Sequence, residues 1–322
     1  MKKATAFVHM KVSSNTFIPA FREACKICDV DLEVHLFGNN SLNNRYGILY
    51  RTSKNIATWG VKRKHLHYNT EKKNVLFFEF CAFCQKSGWW VDSEGLYADS
   101  RFNKQKLWNK LWSKGWEYKE LEAYVKKWYP FELLSGGKKD GPIMVALQHE
   151  DDAPLRFYFA HGETEDLVLK KALEICREHL PDVDVIVRPH PKYLKQWGRK
   201  EKEYLKVFKP NWVLQKDMNI YEELMKCSAV VSVNSTVAIE ALALGIPSAT
   251  IGEGVFSGSG ATLECAKDLS KLKNVLEWKP DLPNVCGFLH ALIRHKIPVS
   301  PTVSDFLKNA DFVLWIEKIR KG

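Results

Sequence analysis

The stretch VVSVNSTVAIEALALGIP, residues 230–247, decides the fold class. Its first residues complete a short apolar run over 229–233, which predicts a buried β-strand. A polar Asn-Ser-Thr turn follows, and apolar residues then recur at helical spacing as far as Leu244. Because a buried strand that leads directly into a helix is the repeating unit of α/β proteins, this stretch predicts a parallel sheet covered by helices.

Short apolar strands alternate with amphipathic helices along the rest of the chain in the same way. The predicted strands cover residues 4–9, 32–37, 56–59, 74–80, 143–147, 183–187, 212–214, 229–233 and 248–251. The predicted helices cover residues 17–27, 104–129, 165–179, 220–227, 237–244 and 303–319. The pattern indicates an α/β protein.

The segment LSGGKKDGP, residues 134–142, is the best candidate for a linker between domains. We therefore predict two Rossmann-like lobes, over residues 1–138 and 139–300, and a C-terminal helix within 301–322 that packs back on the first lobe. In such proteins ligands bind in the cleft between the lobes, outside the carboxyl ends of the strands.

Composition favours a globular protein with anionic partners. Apolar residues make up 45% of the 322 residues, and 48 Lys and Arg against 38 Asp and Glu give a net charge of +10. A surplus of this size suits phosphates, nucleic acid or peripheral contact with an anionic membrane surface. The N-terminus is interpreted as a strand rather than a signal peptide, and no apolar run has the length of a membrane span, so we expect a cytoplasmic protein.

The chain contains two Cys-x-x-Cys pairs, at residues 25–28 and 81–84, and two such pairs can form a zinc site. The first pair ends a predicted helix and the second follows a predicted strand. These positions lie at opposite ends of an α/β layer, so we expect no zinc site there. The remaining cysteines, Cys176, Cys227, Cys265 and Cys286, are typical of buried small apolar residues.

The turn after the strand at 229–233 offers an anion-binding site. Backbone N–H groups and the side chains of Asn234, Ser235 and Thr236 suit a nucleotide phosphate at the start of a helix, although an ordinary helix cap has the same residues. Glu240, one helical turn further on, is placed to reach a ribose hydroxyl.

Two further strand ends carry charged side chains. Arg188, His190 and Lys192 follow the strand at 183–187, and two prolines fix the turn that holds them. Such cations suit a phosphate or carboxylate. We expect this strand end to converge on one site with the ends of the strands at 143–147 and 229–233.

Three adjacent carboxylates, Glu150, Asp151 and Asp152, follow the strand at 143–147. They suit a base, a nucleophile or an orienting group toward a sugar, and an acidic triplet also suits a divalent metal or a solvated loop.

Six ordered segments resemble the capsule polysaccharide synthesis family, the bacterial retaining β-Kdo transferases. That family is related to sialyltransferases of the GT-B type. The matching segments are Trp-Gly-Val-Lys at 59–62, Val-Leu-Phe-Phe-Glu at 75–79, residues 91–99, Gln-His-Glu-Asp-Asp-Ala at 148–153, Arg-Pro-His-Pro at 188–191 and residues 235–245.

The resemblance implies a GT-B-like glycosyltransferase that uses a CMP-linked ulosonic acid as donor and needs no metal. It implies that His190, Ser235 and Thr236 hold the donor phosphate and that Asp152 or Asp151 is the nucleophile of a double displacement. Glu79 would be the acid/base for the acceptor. The residues expected to contact substrate are Arg188, Gln148, Trp59 and Lys62.

The chain departs from the family pattern directly after Glu79. The family continues with Asp-Gly-Phe-Leu-Arg-Ser, whereas residues 80–87 read FCAFCQKS. Since the first lobe shapes the acceptor site, the acceptor is left open between a glycan, a glycolipid and DNA with modified bases. The basic helix at 104–129, with Trp108, Trp112 and Trp116 on one face, suits the DNA alternative, which predicts steep salt dependence and base flipping. A sugar-nucleotide epimerase or a non-catalytic binder on the same scaffold is a third alternative, because fold alone does not define function.

Overall fold

The computed structural model describes residues 1–9, 16–37, 53–59, 73–108, 118–149, 152–160, 168–216 and 219–322. The chain divides into two compact units. The first unit combines Met1–Gln105 with Leu292–Gly322, and the second unit is Lys106–Ala291. The lobe limits expected from the linker, at residues 138 and 300, stay a prediction.

The strands among the described residues are β1 Lys2–His9, β2 Val30–Phe37, β3 Asn55–Trp59, β4 Asn74–Phe80, β5 Gly88–Asp92, β6 Ile143–Ala146, β7 Val185–Arg188, β8 Trp212–Leu214, β9 Ala229–Ser232, β10 Ser248–Thr250, β11 Leu263–Glu264 and β12 Lys296–Pro298. The α-helices are α1 Phe17–Ile27, α2 Arg101–Lys104, α3 Tyr118–Trp128, α4 Ala153–Tyr158, α5 Val168–His179, α6 Leu194–Leu205, α7 Ile220–Leu224, α8 Val237–Ala243, α9 Leu282–His295, α10 Val303–Lys308 and α11 Ala310–Lys321. Short 3-10 helices cover Gln85–Ser87, Tyr97–Asp99, Pro191–Tyr193 and Leu269–Asn274.

Each unit contains one six-stranded sheet. The order in the first unit is β12-β5-β4-β3-β1-β2, and the order in the second is β11-β10-β9-β6-β7-β8. The second sheet is parallel throughout. In the first sheet β1 to β4 are parallel, whereas β5 runs antiparallel to β4 and β12 antiparallel to β5. Full burial of β6 and β9 accounts for their unbroken apolar runs, which is typical of parallel strands covered on both faces.

Aromatic packing joins the C-terminal helices to the first sheet. Phe17 of α1 lies 5.2 Å from Phe78 of β4 and 5.4 Å from Phe306 of α10, measured between ring centroids. Phe21, one helical turn further along α1, contacts Phe312 of α11. The buried residues of α1 recur at helical spacing, which is the amphipathic pattern that predicted this helix from the sequence.

Several elements differ from the sequence predictions. The strands β5, β11 and β12 and the helices α4, α6 and α9 were not predicted. The helix expected at 303–319 is two helices, because Asn309 leaves the helical conformation and its side chain accepts a hydrogen bond from the amide of Phe312 at 2.9 Å. The helix expected over 104–129 is interrupted after Lys104, where α2 ends and Lys106 has a φ of 48°. Residues 109–117, with Trp112 and Trp116, lie outside the described residues. Trp108 is buried against Phe288.

A buried ion pair fixes α11 to the segment after β5. Arg101 donates two hydrogen bonds to Asp311, at 2.7 and 2.8 Å, and the backbone amide and hydroxyl of Ser93 donate to the same carboxylate. Burial alone would raise the pKa of Asp311, but the hydrogen bonds from Arg101 and the charges of His295 and Arg101 hold it below its usual value. The pair therefore joins two segments that are far apart in sequence.

We expect Asp311→Asn to lower the free energy of unfolding by about 3 kcal/mol, because it leaves the Arg101 guanidinium buried without its anionic partner. Glu317→Gln on the same helix is the matched control, since the pair of Glu317 with Lys321 at 3.9 Å is exposed and its loss should cost less than about 0.5 kcal/mol. Urea unfolding measures both. Equal losses for the two variants would show that the buried pair does not anchor α11.

Among the described helices, none has both the length and the apolar character that a membrane crossing requires.

Candidate functional site

Three strand ends meet at one edge of the second sheet. Ala146, the last residue of β6, pairs with Arg188 on one side and with Ser232 on the other. The chain continues from β6 through β7 to β8 in one direction, and from β9 through β10 to β11 in the other. The strand order thus reverses at β6, and ligands of parallel α/β sheets bind at such a switch point, outside the carboxyl ends of the strands.

Gln148 and Asn234 tie two of these strand ends together. The Gln148 side-chain amide donates to Oδ1 of Asn234 at 2.9 Å, and the Asn234 backbone amide donates to Oε1 of Gln148 at 3.0 Å. The Asn234 side-chain amide also donates to the carbonyls of Pro154 and Glu253. Both side chains are buried and engaged in these bonds, so they position the loops around the site. Their expected direct contacts with substrate and phosphate stay predictions.

His190 is a neutral hydrogen-bond donor at the end of β7. Burial, followed by the charges of His149, Lys192 and Arg188, lowers the pKa of His190 to about 4. Its Nδ1 accepts a hydrogen bond from the backbone amide of Lys192 at 3.1 Å, so the proton of the neutral ring is on Nε2. The His149 ring lies 6.1 Å away in an edge-to-face arrangement. An N–H group held in this way suits a phosphate oxygen.

Arg188 forms an ion pair that the sequence did not predict. Its Nη1 lies 2.9 Å from Oε2 of Glu223 in α7, and both side chains are almost completely shielded from solvent. Burial raises the pKa of Glu223, although the charges of Arg188 and Lys226 oppose the rise. Glu223 therefore orients the guanidinium at the edge of the sheet. Nothing in the spacing of α7 links it to Arg188, which precedes it by 35 residues.

Glu240 stands on α8, near Arg188. Burial raises the pKa of Glu240 to about 7, and the Arg188 charge opposes this rise. The carboxyl group is thus close to half-protonated at neutral pH and can exchange hydrogen bonds with a hydroxyl group in either state.

The remaining predicted residues of this edge are placed as follows. Ser235 and Thr236 are half-buried at the start of α8, and the amide of Val237 donates to the Ser235 hydroxyl at 3.3 Å. Asp152 precedes α4 and its backbone amide donates to the carbonyl of His149 at 2.8 Å. Glu150 and Asp151 lie outside the described residues.

Glu79 belongs to the first unit, near the end of β4. Its Oε1 accepts a hydrogen bond from the amide of Phe80 at 2.9 Å, and its Oε2 lies 3.3 Å from the hydroxyl of Tyr97. Trp59 is the last residue of β3, with its side chain outside the described part of the chain, and Lys62 is not described at all.

One grouping in the described residues offers potential metal ligands: atoms of Asp92, His295 and Asp311 lie within 4.8 Å of one another. The carboxylate oxygens already accept hydrogen bonds from Arg101 and from backbone amides. A cation there would lie against the guanidinium, so these residues fit a charge-paired structural cluster better than a metal centre.

The fold and this site define a class: an α/β protein with a parallel sheet that carries cationic and hydrogen-bonding side chains at its switch point. Residues 97–282, more than half of the chain, match the family described as "Capsule polysaccharide biosynthesis protein". The chain belongs to this family. The family resemblance inferred from the sequence motifs is thereby confirmed.

A solved structure shows the same fold. The beta Kdo 2,7 transferase of KpsC from Thermosulfurimonas dismutans is 17% identical with a TM-score of 0.55, and the match covers 88% of this chain and 89% of that one. The beta Kdo 2,4 transferase of KpsC from the same organism is also 17% identical, with a TM-score of 0.49 over 88% and 89% of the two chains. No curated protein sequence matches. The predicted GT-B-like α/β fold class is confirmed, and family and fold together support glycosyltransferase activity.

The lowered pKa of His190 predicts how the stability of the folded protein depends on pH. The pKa of about 4 in the folded protein lies below the usual value of 6.5, so the unfolded state binds more protons between these values and stability falls as the pH decreases through this range. His190→Gln removes this term. Urea unfolding at pH 7, 6 and 5 should show a smaller loss for the variant, by on the order of 1 kcal/mol given the partial exposure of the ring. Identical pH dependence in both proteins would contradict the assignment.

Proposed function

We propose that this chain is a retaining glycosyltransferase that transfers Kdo or a related ulosonic acid from a CMP-linked donor to an acceptor glycan. The observation that carries the proposal is the meeting of the ends of β6, β7 and β9 at the switch point. Family membership supports the same class of reaction.

The donor phosphate is assigned to His190, Ser235 and Thr236. The Nε2–H of His190 donates to a phosphate oxygen, and the hydroxyls of Ser235 and Thr236 supply further donors. Because His190 is neutral before binding, the site attracts the phosphate without holding an uncompensated charge in the empty state. Lys192 adds positive charge at the entrance, where it is exposed to solvent.

Glu240 and Arg188 are assigned to other parts of the donor. The Glu240 carboxyl accepts hydrogen bonds from the ribose hydroxyls, which its pKa of about 7 permits at neutral pH. Arg188, oriented by Glu223, meets the carboxylate of the ulosonic acid.

The reaction is a double displacement. A carboxylate, assigned to Asp152, attacks the anomeric carbon from the side opposite the nucleotide, and the bond between that carbon and the phosphate oxygen breaks to release CMP. Glu79 then takes the proton of the acceptor hydroxyl, whose oxygen attacks the same carbon and releases Asp152. Two inversions retain the anomeric configuration.

The net charge of +10 suits an anionic acceptor, which we assign as a glycan or glycolipid. The cytoplasmic location predicted from the sequence is part of this proposal, because nucleotide-sugar donors are made there.

The first test measures thermal stabilisation by CMP, CDP, UDP, GDP and ADP. A ligand present at about 100 times its dissociation constant adds roughly 2.7 kcal/mol to the stability of the folded state. We expect CMP to stabilise the protein most, and His190→Ala to remove most of that effect because it deletes the phosphate donor. Stronger stabilisation by a nucleoside diphosphate would contradict the ulosonic acid donor and favour the DNA-modifying alternative.

The second test concerns the nucleophile. We expect Asp152→Asn to lower the turnover of CMP-Kdo by about a thousandfold or more, because the amide cannot form the glycosyl ester. Asp182→Asn is the matched control in the same unit, since the Asp182 side chain is 95% exposed. CMP release measures both. Unchanged turnover in Asp152→Asn would remove Asp152 from the mechanism, and NMR of a product with inverted configuration would exclude double displacement altogether.

A further inference from the structure

A hydroxyl group in the first unit faces the carboxylate that we assign as the base. The Tyr97 hydroxyl lies 3.3 Å from Oε2 of Glu79, and the other oxygen of that carboxylate accepts the amide of Phe80. Both oxygens are therefore engaged, which restricts rotation of the carboxylate. A hydrogen bond of this length is weak, but bonds to catalytic groups are often long before substrate binds and shorten afterwards.

The backbone of Tyr97 is held in a strained conformation. Its φ is 55°, in the left-handed region that residues other than glycine seldom adopt. Strain of this kind persists only where the surrounding structure enforces it. Tyr97 begins the 3-10 helix Tyr97–Asp99, so the unusual angle lies at the point where the chain turns.

Asp92 enforces the turn from one side. Its Oδ1 accepts hydrogen bonds from the backbone amides of Glu94, Gly95 and Arg101 at 2.9 to 3.1 Å. The turn is also too tight for a side chain at Gly95, because an added Cβ would lie 2.6 Å from the carbonyl oxygen of Asp99. The loop that carries Tyr97 is thus closed at both ends on one carboxylate.

The end of the turn is anchored independently. The Ser100 hydroxyl donates to the carbonyl of Tyr97 at 2.7 Å and accepts the amide of Asn103. Arg101, the next residue, is bound by Asp311 through the buried ion pair. The same carboxylate holds Ser93 at the start of the turn. These hydrogen bonds therefore fix the segment that carries Tyr97, the strained residue whose hydroxyl lies next to Glu79.

We infer that Tyr97 is a positioning residue for the acid/base Glu79, and that its hydroxyl donates to the ionised carboxylate and holds it in the orientation that receives the acceptor proton. The inference rests on the proposed function for its catalytic meaning. A donor to the ionised form stabilises that form, so Tyr97 keeps Glu79 able to accept a proton. The buried cluster of Asp92, Arg101 and Asp311 then serves the site indirectly, by fixing the backbone of Tyr97.

The test is Tyr97→Phe, which keeps the ring and the backbone conformation and removes only the hydroxyl. Its first readout does not depend on turnover: ¹³C NMR follows the titration of the Glu79 carboxyl, identified by its loss in Glu79→Gln. We expect the titration to move to higher pH in Tyr97→Phe, because the ionised carboxylate loses a donor. An unchanged titration overturns the inference.

The second readout is CMP release from CMP-Kdo with water as the acceptor. Tyr97→Phe should lower kcat about tenfold, as expected for a hydrogen bond to a charged group, with KM within about twofold and the acid limb of the pH profile displaced to higher pH. Tyr118→Phe, which removes a hydroxyl from an exposed residue of α3, is the matched control and should leave these values unchanged.

The outcomes separate the inference from the proposed function. Loss of turnover in Glu79→Gln with full turnover in Tyr97→Phe overturns the positioning role alone. Full turnover in Glu79→Gln overturns the proposed base and with it the catalytic role of Tyr97. A similar loss in the double variant and in Glu79→Gln supports the inference, because the hydroxyl then acts only through that carboxylate.

Discussion

The reciprocal hydrogen bonds between Gln148 and Asn234 are the constraint on which the candidate site depends. They join the segments that follow β6 and β9, and the Asn234 side chain extends the connection to the start of α4 and to the loop after β10. A single buried amide pair thus fixes the spacing of several loops at the switch point. Because both residues are buried, their hydrogen bonds cannot be replaced by water without moving the backbone, and loss of either would leave unsatisfied polar groups. This pair therefore fixes the positions of Ser235, Thr236 and Asp152.

Burial sets the protonation of the titratable groups at the same edge. His190 is neutral, Glu240 is close to half-protonated, and the guanidinium of Arg188 is matched by Glu223. An empty site of this kind holds little net charge in a region of low dielectric constant, where unpaired charge is costly. In the proposed function, the donor phosphate meets preformed donors that need little reorganisation, which is the condition for strong electrostatic stabilisation. The need to balance charge in a buried site explains why Arg188, which the sequence places at a strand end, is paired with Glu223, which the sequence did not indicate.

The local patterns of the chain predicted the strand ends well, because each motif follows a buried apolar run whose end sets its position in the sheet. Arg188, His190 and Asn234 could be assigned to one edge for this reason. Glu223 and Asp311 could not be found in the same way. Their partners lie 35 and 210 residues away, and a pairing across such separations leaves no spacing signal in one sequence. The strand β5 was missed because its five residues are all buried and follow a Cys-rich loop that has no turn motif. The break at Asn309 depends on a side-chain cap that starts a new helix, and helical periodicity does not indicate such a cap.

The departure from the family pattern after Glu79 has a structural explanation. The residues that replace the family's charged loop satisfy one another: Cys81 donates to the carbonyl of Phe83, the Ser87 hydroxyl donates to the carbonyl of Cys84, and Lys296 donates to the Ser87 hydroxyl. Cys81 and Phe83 are fully buried, so this loop is part of the core of the first unit. Phe80, Gln85 and Lys86 are the residues of this loop that remain exposed to solvent. Glu79 itself is kept and held by Tyr97 from a different segment. The hydrogen bond that supports the Glu79 carboxylate and the packing of the loop after Glu79 therefore come from separate segments of this unit.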